Sequence, residues 1–306
     1  MSKVPDPKAN PEAIILSEDD ASKLAKELKV QLHMGTISKA DENFIQLIIA
    51  GLGDKRGNLR RTFAESLGAI GSAAVPGLRN ALLHHSNVTV RRSAAKALKL
   101  VGDSSALPYL LQALINDEDP VVQGSSAGAM AIFGEDAVQH LLKVLVNPNS
   151  TAMQCGLASW GLSFIGAKAP NALREAAQSE SAVIRAAAVA ALGEQIQYLG
   201  DQIARDLVIK ALDDSAIEVR AEATTLLGKL DDPSWAKPLL LEKLFDANAE
   251  VRKQAALSLM KLKVKEAIED LQKISLIEKD TRVINVLQLA INELRKIEPG
   301  SQFNEY

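Results

Sequence analysis

The chain has 306 residues, 35 of them basic and 38 acidic, and a formal net charge of −3, so composition excludes a global attraction to nucleic acid or to an anionic membrane. Hydrophobic residues make up 47% and aromatics only 4%; the apolar mass is Ala, Leu, Val and Ile, which suits closely spaced helices better than a sheet. The one cysteine, Cys155, excludes an internal disulfide and cannot by itself supply a zinc or iron–sulfur site.

Residues 1–16 hold Pro5, Pro7 and Pro11 with few large apolar side chains, and read as a disordered N-terminus without a signal-peptide run. No later stretch approaches the roughly 18 uninterrupted apolar residues that a membrane span needs, so a cytoplasmic protein with no integral membrane segment is expected. Ser17 precedes Glu18, Asp19 and Asp20, a capping side chain followed by acids where the helix dipole favours them. The pattern predicts a helix over 17–35, stopped by Gly35, that caps the first repeat.

From residue 36 to 297 the pattern becomes paired helices. The segment Val90–Gly102 sets the unit, with an apolar face at Val90, Ala94, Ala97, Leu98 and Val101. Val-Arg-like dipeptides open the second helix of each pair, and the Arg position recurs at 60, 91, 123, 155, 185, 220, 252 and 284. The steps between markers are 31, 32, 32, 30, 35, 32 and 32 residues, the mark of a repeat array. Pro76, Pro108, Pro170 and Pro238 recur near the start of the first helices, where a proline loses no needed hydrogen bond. Asp54, Asp117, Asp214 and Asp246 each lie six residues before a marker. Asp54 with Arg60, Asp214 with Arg220 and Asp246 with Arg252 are therefore expected to form turn-stabilising pairs, laddered to neighbouring repeats, and Arg91 is grouped with them as structural. Residues 298–306, with Phe303 and Tyr306, form a C-terminal tail.

Paired helices of about 32 residues carrying V-R-R-S-A-A-K-A-L-K-L-V-G-D at 90–103, I-R-A-A-A-V-A-A-L-G at 184–193 and V-R-A-E-A-T-T-L-L-G at 219–228 resemble HEAT-like repeats. The short, alanine-rich version resembles the repeats of the cyanobacterial phycobilisome (phycobilin) lyase-like family. The resemblance covers about residues 41–297 and implies an all-α, right-handed α-solenoid of about eight helical hairpins whose second helices line the concave face. Residues 41–99 contain no Tyr or Trp, whereas the lyase subunits carry such residues early. The resemblance therefore points to the non-enzymatic assembly or degradation members: a scaffold or adaptor that binds a protein partner, a phycobiliprotein or an assembly factor, and needs no cofactor. The alternative is a bilin lyase or isomerase subunit, with a phycobilin on the concave face. A nucleic-acid-binding solenoid is disfavoured, because phosphate contacts dominate such affinity and no basic aromatic groove is legible.

Two features of the second helices are candidates for partner binding. Arg61, Arg92, Lys96 and Lys99 fall on the side opposite the packed face, in a 55–99 stretch with nine basic residues and one acid, ahead of a 100–142 stretch with six acids and no base. Such a patch docks acidic protein surface or bilin propionates, or is simply a solvated face. In the middle repeats Gly124, Gly128 and Gly156 replace long side chains, beside Trp160 and Phe164. Glycine in a helix costs roughly 1 kcal/mol against alanine, so these positions mark either close helix approach or a smooth floor with aromatic anchors. His84, His85 and His140 read as surface or capping residues rather than metal ligands, Cys155 as a small core residue, and Tyr109, Tyr198 and Trp235 as packing residues. No catalytic or metal-ligating motif is present in linear form, and oligomeric state is left open.

Overall fold

The computed structural model describes residues 14–37 and 41–297. The expected disorder before Ile14 and the tail from 298 lie outside the described residues. Among those described, every regular element is helical.

Helix α1 (Glu18–Met34) begins as its sequence dictates. Ser17 Oγ accepts from the Asp20 main-chain N–H at 3.1 Å, and Gly35 ends the helix at φ 66° with its N–H on the Gln31 and Leu32 carbonyls. The hairpins come next: α2 (Glu42–Gly51) with α3 (Gly57–Ile70), α4 (Val75–His84) with α5 (Val88–Val101), α6 (Leu107–Asn116) with α7 (Pro120–Met130), and α8 (Glu135–Val146) with α9 (Ala152–Ile165). Then come α10 (Pro170–Ala176) with α11 (Ala182–Ala191), the short α12 (Gly193–Leu199), α13 (Gln202–Leu212) with α14 (Ile217–Leu227), α15 (Pro233–Lys243) with α16 (Ala249–Lys261), and α17 (Ile268–Ser275) with α18 (Thr281–Arg295). This hairpin array is an α-solenoid in class.

The chain divides into two compact units. The first runs through Val144 and includes Ser150–Leu157; the second takes Leu145–Asn149 and the chain from Ala158. In the first unit α5 packs on α3 and on α7, and α1 lies against α3 in the place a preceding second helix would take. In the second unit α11, α14, α16 and α18 stack in succession. The stacking buries the small apolar face that repeats: Val90, Ala94, Ala97 and Leu98 on α5, and Val219, Ala223, Leu226 and Leu227 on α14, are nearly inaccessible. Alanine at these positions lets the second helices approach without a cavity.

Two details depart from the sequence pattern. The 35-residue step between markers 185 and 220 contains α12, an extra helix that ends at Gly200 with φ 60°. Pro238 lies inside α15, whose first residue is Pro233, so it does not mark a helix start. Arg56 fastens α1 to the first repeat. Its guanidinium binds both Asp54 carboxylate oxygens and reaches Ser22 Oγ at 2.9 Å and the Glu18 carbonyl at 3.1 Å. In the second unit α18 presents Arg282, Asn285, Gln288 and Glu293 to solvent beside an exposed Leu289.

Candidate functional site

The marker arginines form a ladder whose form differs from the expected pairs. Each uses one terminal nitrogen on its own turn. Arg220 Nη1 holds the carbonyl of Asp214 at 2.9 Å, and Arg252 Nη1 holds that of Asp246 at 2.8 Å. The carboxylates six residues before the marker go instead to the arginine of the preceding repeat: Asp214 to Arg185, Asp246 to Arg220, Glu278 to Arg252 and, in the first unit, Asp117 to Arg91. Each contact is bidentate, the strong geometry for guanidinium and carboxylate. Asp54 pairs with Arg56, and Arg60 takes only the Asp54 and Lys55 carbonyls. The partner's hydrogen bond holds the Asp54, Asp214 and Glu278 carboxyls below their ordinary range, Glu278 at about 2.

Four of the nine basic residues of the 55–99 stretch, Arg56, Arg61, Arg91 and Arg92, are ion-paired among the described residues. Arg92 binds both oxygens of Asp119, the N-cap of α7, at 3.1 and 2.8 Å, and Arg61 pairs with Glu65 one turn on in α3. The acid-rich stretch after residue 100 thus holds the partners of Arg91 and Arg92, in Asp117 and Asp119. Lys96 and Lys99 are exposed on α5 and make no ion pair among the described residues.

The glycine-rich face splits in two. A Cβ at Gly156 would meet nothing within 4 Å, and one at Gly124 would touch only Leu157 at an ordinary 3.6 Å. Gly128 is half-buried on α7. Neither Gly124 nor Gly156 is there for close helix approach. Gly68, against Leu100 at 2.8 Å, and Gly228, against the Ser258 backbone at 2.7 Å, do serve close approach, and both lie eight residues after their marker, where the repeat motif ends in glycine. One turn beyond Gly156 on α9, Trp160 is 45% exposed, and a further turn on Phe164 is 54% exposed. Their ring centroids are 4.6 Å apart at an interplanar angle of 61°. Two large aromatics that pack edge to face beside a bare stretch of helix form an apolar platform.

Other residues settle into place. Cys155 is half-buried with its thiol near the Val144 carbonyl. Tyr109 lies under Arg79 and Trp235 under Arg205, both as cation–π pairs. Tyr198 is 76% exposed on α12 and is not a packing residue. Missed by the sequence pattern were a second set of inter-repeat ion pairs on the first helices, Arg174 with Asp201 and Arg205 with Asp232, and the nearly buried Lys243 held by Asp213 at 2.6 Å. For the two arginines the signal was present as an acid 27 residues downstream, the spacing that also joins Arg92 to Asp119. Among the described residues no His, Cys, Asp and Glu group is arranged for a metal ion, and no helix is long and apolar enough to cross a membrane.

Residues 75–154, 170–242 and 205–292 match HEAT repeats, and residues 59–84 match the PBS lyase HEAT-like repeat. The chain is 48% identical over 281 residues to the bilin biosynthesis protein MpeU of Synechococcus sp. (strain WH8020), an alignment covering 92% of this chain and 95% of that protein. It is 29% identical over 199 residues to the uncharacterized phycocyanin operon protein Z of Pseudanabaena tenuis (strain PCC 7409), covering 64% and 85%. Among solved structures, the complex of CpcE and CpcF of phycocyanin lyase from Nostoc sp. PCC7120 aligns with 84% of this chain and 96% of that chain, at 21% identity and a TM-score of 0.33.

Proposed function

The chain belongs to the HEAT-repeat proteins of the phycobilisome lyase-like family, and from that premise we propose that it handles a phycobilin, as a lyase or isomerase subunit that presents the open-chain tetrapyrrole to an acceptor phycobiliprotein. The observation that carries this reading is the 48% identity, over nearly the whole of both chains, to a protein named for bilin biosynthesis. The α9 platform supports it: Trp160 and Phe164 offer aromatic surface to a flat conjugated ligand, and Gly156 leaves the adjoining turn bare. In the first unit, Lys96 and Lys99 carry charge that attracts an acidic acceptor surface. The partner anticipated from the sequence is then the acceptor protein itself.

Purified protein, alone and with a candidate partner subunit, is mixed with phycobilin and apo-phycobiliprotein. Absorption is followed, and bilin fluorescence is read on the acceptor after denaturing electrophoresis. The reading expects a spectral shift and an adduct whose yield depends on the protein; neither, in either mixture, contradicts it. A second reading, a non-enzymatic adaptor in phycobilisome assembly or turnover, is favoured by the absence of Tyr and Trp from residues 41–99. It expects capture of a phycobiliprotein with no effect on the bilin.

A further inference from the structure

One rung of the arginine ladder has its donor and lacks its acceptor. At four junctions the marker arginine makes the same set of bonds: Nη1 to two carbonyls of its own turn, Nε and Nη2 to both oxygens of an acid in the next repeat. Arg60 is anchored in the same way, with Nη1 on the Asp54 and Lys55 carbonyls at 2.6 and 2.9 Å. Its Nε and Nη2 have no acceptor among the described residues. Asp54, the acid of its own turn, is taken by Arg56.

The position that supplies the acid elsewhere, six residues before the next marker, is His85. His85 performs half of the acid's task. Its Nδ1 accepts from the Asn87 main-chain N–H at 3.0 Å, as Asp117 accepts from Asp119 at 2.9 Å and Asp214 from Ala216 at 2.8 Å. With Nδ1 accepting, the proton of the neutral ring sits on Nε2 and makes it a second donor. Burial, and then the charge of Arg91, hold the imidazole below its usual range, which keeps the ring neutral near pH 7.

We propose that Arg60 and His85 form a binding site for an external carboxylate, which completes the first junction of the ladder as Asp117, Asp214, Asp246 and Glu278 complete four later ones. A half-buried guanidinium fork with two parallel N–H groups matches a carboxylate in shape and charge. The carboxylate is either a propionate of a tetrapyrrole or an acidic side chain of a protein, and the site stands independently of the bilin reading.

The test is a titration of the full chain, labelled with 15N, with sodium acetate replacing sodium chloride at constant ionic strength and pH 7.5. The Arg60 Nε–H resonance is assigned by Arg60→Lys. Expected are a saturable shift of that resonance and of the His85 ring, and none at Arg220, whose fork is occupied. His85→Asp should supply the missing acid from within: the Arg60 response to acetate disappears, and the melting temperature rises by about 2 °C. No acetate response at Arg60, or an undiminished response in folded His85→Asp, overturns the proposal; should that variant not fold, the titration of the unaltered chain decides. Biliverdin and its dimethyl ester separate the sources. Loss of the acetate response with the free acid alone identifies a propionate site, and loss with neither assigns the site to a protein carboxylate.

Discussion

Arg220 and Asp246, in successive repeats, are joined by two hydrogen bonds of 2.9 and 3.0 Å from one guanidinium to both carboxylate oxygens. The remaining nitrogen of Arg220 holds the carbonyls of Asp214 and Ser215. One side chain thus closes its own turn and clamps the next, and the clamp is mostly removed from solvent.

Arg220→Met breaks both functions and leaves the Asp246 carboxylate without its counter-ion. Loss of one member of a part-buried pair should cost about 2 kcal/mol, below the range for fully buried pairs. Urea unfolding checks the magnitude. Amide hydrogen exchange should localise the loss to α14, α15 and α16, because a repeat array transmits stability mainly to neighbours.

Acid should loosen the last junction. Glu278 is held at about 2, against an ordinary 4.5, chiefly by its hydrogen bond to Arg252. A folded value below the unfolded one means that the stabilisation is complete above the unfolded value and is lost as pH falls from about 4.5 towards about 2. Thermal melts across that window should show a fall in stability that Glu278→Gln makes shallower, at the expense of lower stability at neutral pH.

The basic side chains of the first unit should separate into two classes. Arg92→Ala removes a bidentate pair to the N-cap of α7 and should lower the melting temperature. Lys96→Glu with Lys99→Glu touches no ion pair among the described residues and should leave the melting temperature within about 1 °C. If these lysines meet an acidic acceptor, the double reversal weakens capture of a phycobiliprotein, and the unaltered protein binds more tightly at low salt. Unchanged capture across both tests removes them from the interface.

Glycine positions should respond oppositely. Gly156→Ala enters open space on a helix and should stabilise by a few tenths of a kcal/mol up to about 1. Gly228→Ala drives its Cβ into Ser258 Oγ and to 2.7 Å from the Ser258 backbone, and should destabilise by about 1–3 kcal/mol. Gly156→Gln should fold yet obstruct the α9 platform, seen as loss of bilin capture at unchanged melting temperature.

The repeat was legible because stacking demands the same small apolar face each time, as at Ala94 and Ala223. Ser17 was legible because capping is local chemistry. The ladder was harder. Asp214 lies six residues before Arg220 and 29 after Arg185, and linear proximity favours the first pairing while the fold makes the second. Arg92 illustrates the same limit: helical periodicity places it on the outer side, but only the neighbouring repeat supplies Asp119. Trp160 and Phe164 were legible as aromatic departures from the pattern, whereas their mutual contact and exposure depend on packing around α9. The tight glycines Gly68 and Gly228 were legible as the recurring Leu-Gly that closes the repeat motif, whereas the residues they face, Leu100 and Ser258, lie about one period away and are supplied only by the fold.

The central claim, that α9 carries an aromatic platform for a bilin, is tested most directly by the emission of Trp160. Trp235→Phe leaves Trp160 as the only tryptophan and should keep a ring under Arg205. Titration of that variant with phycobilin should quench Trp160 emission saturably, in step with a shift in bilin absorption, and Phe164→Ala should weaken both. Emission that stays constant while bilin is added, or a bilin shift that leaves Trp160 unquenched, would contradict the account.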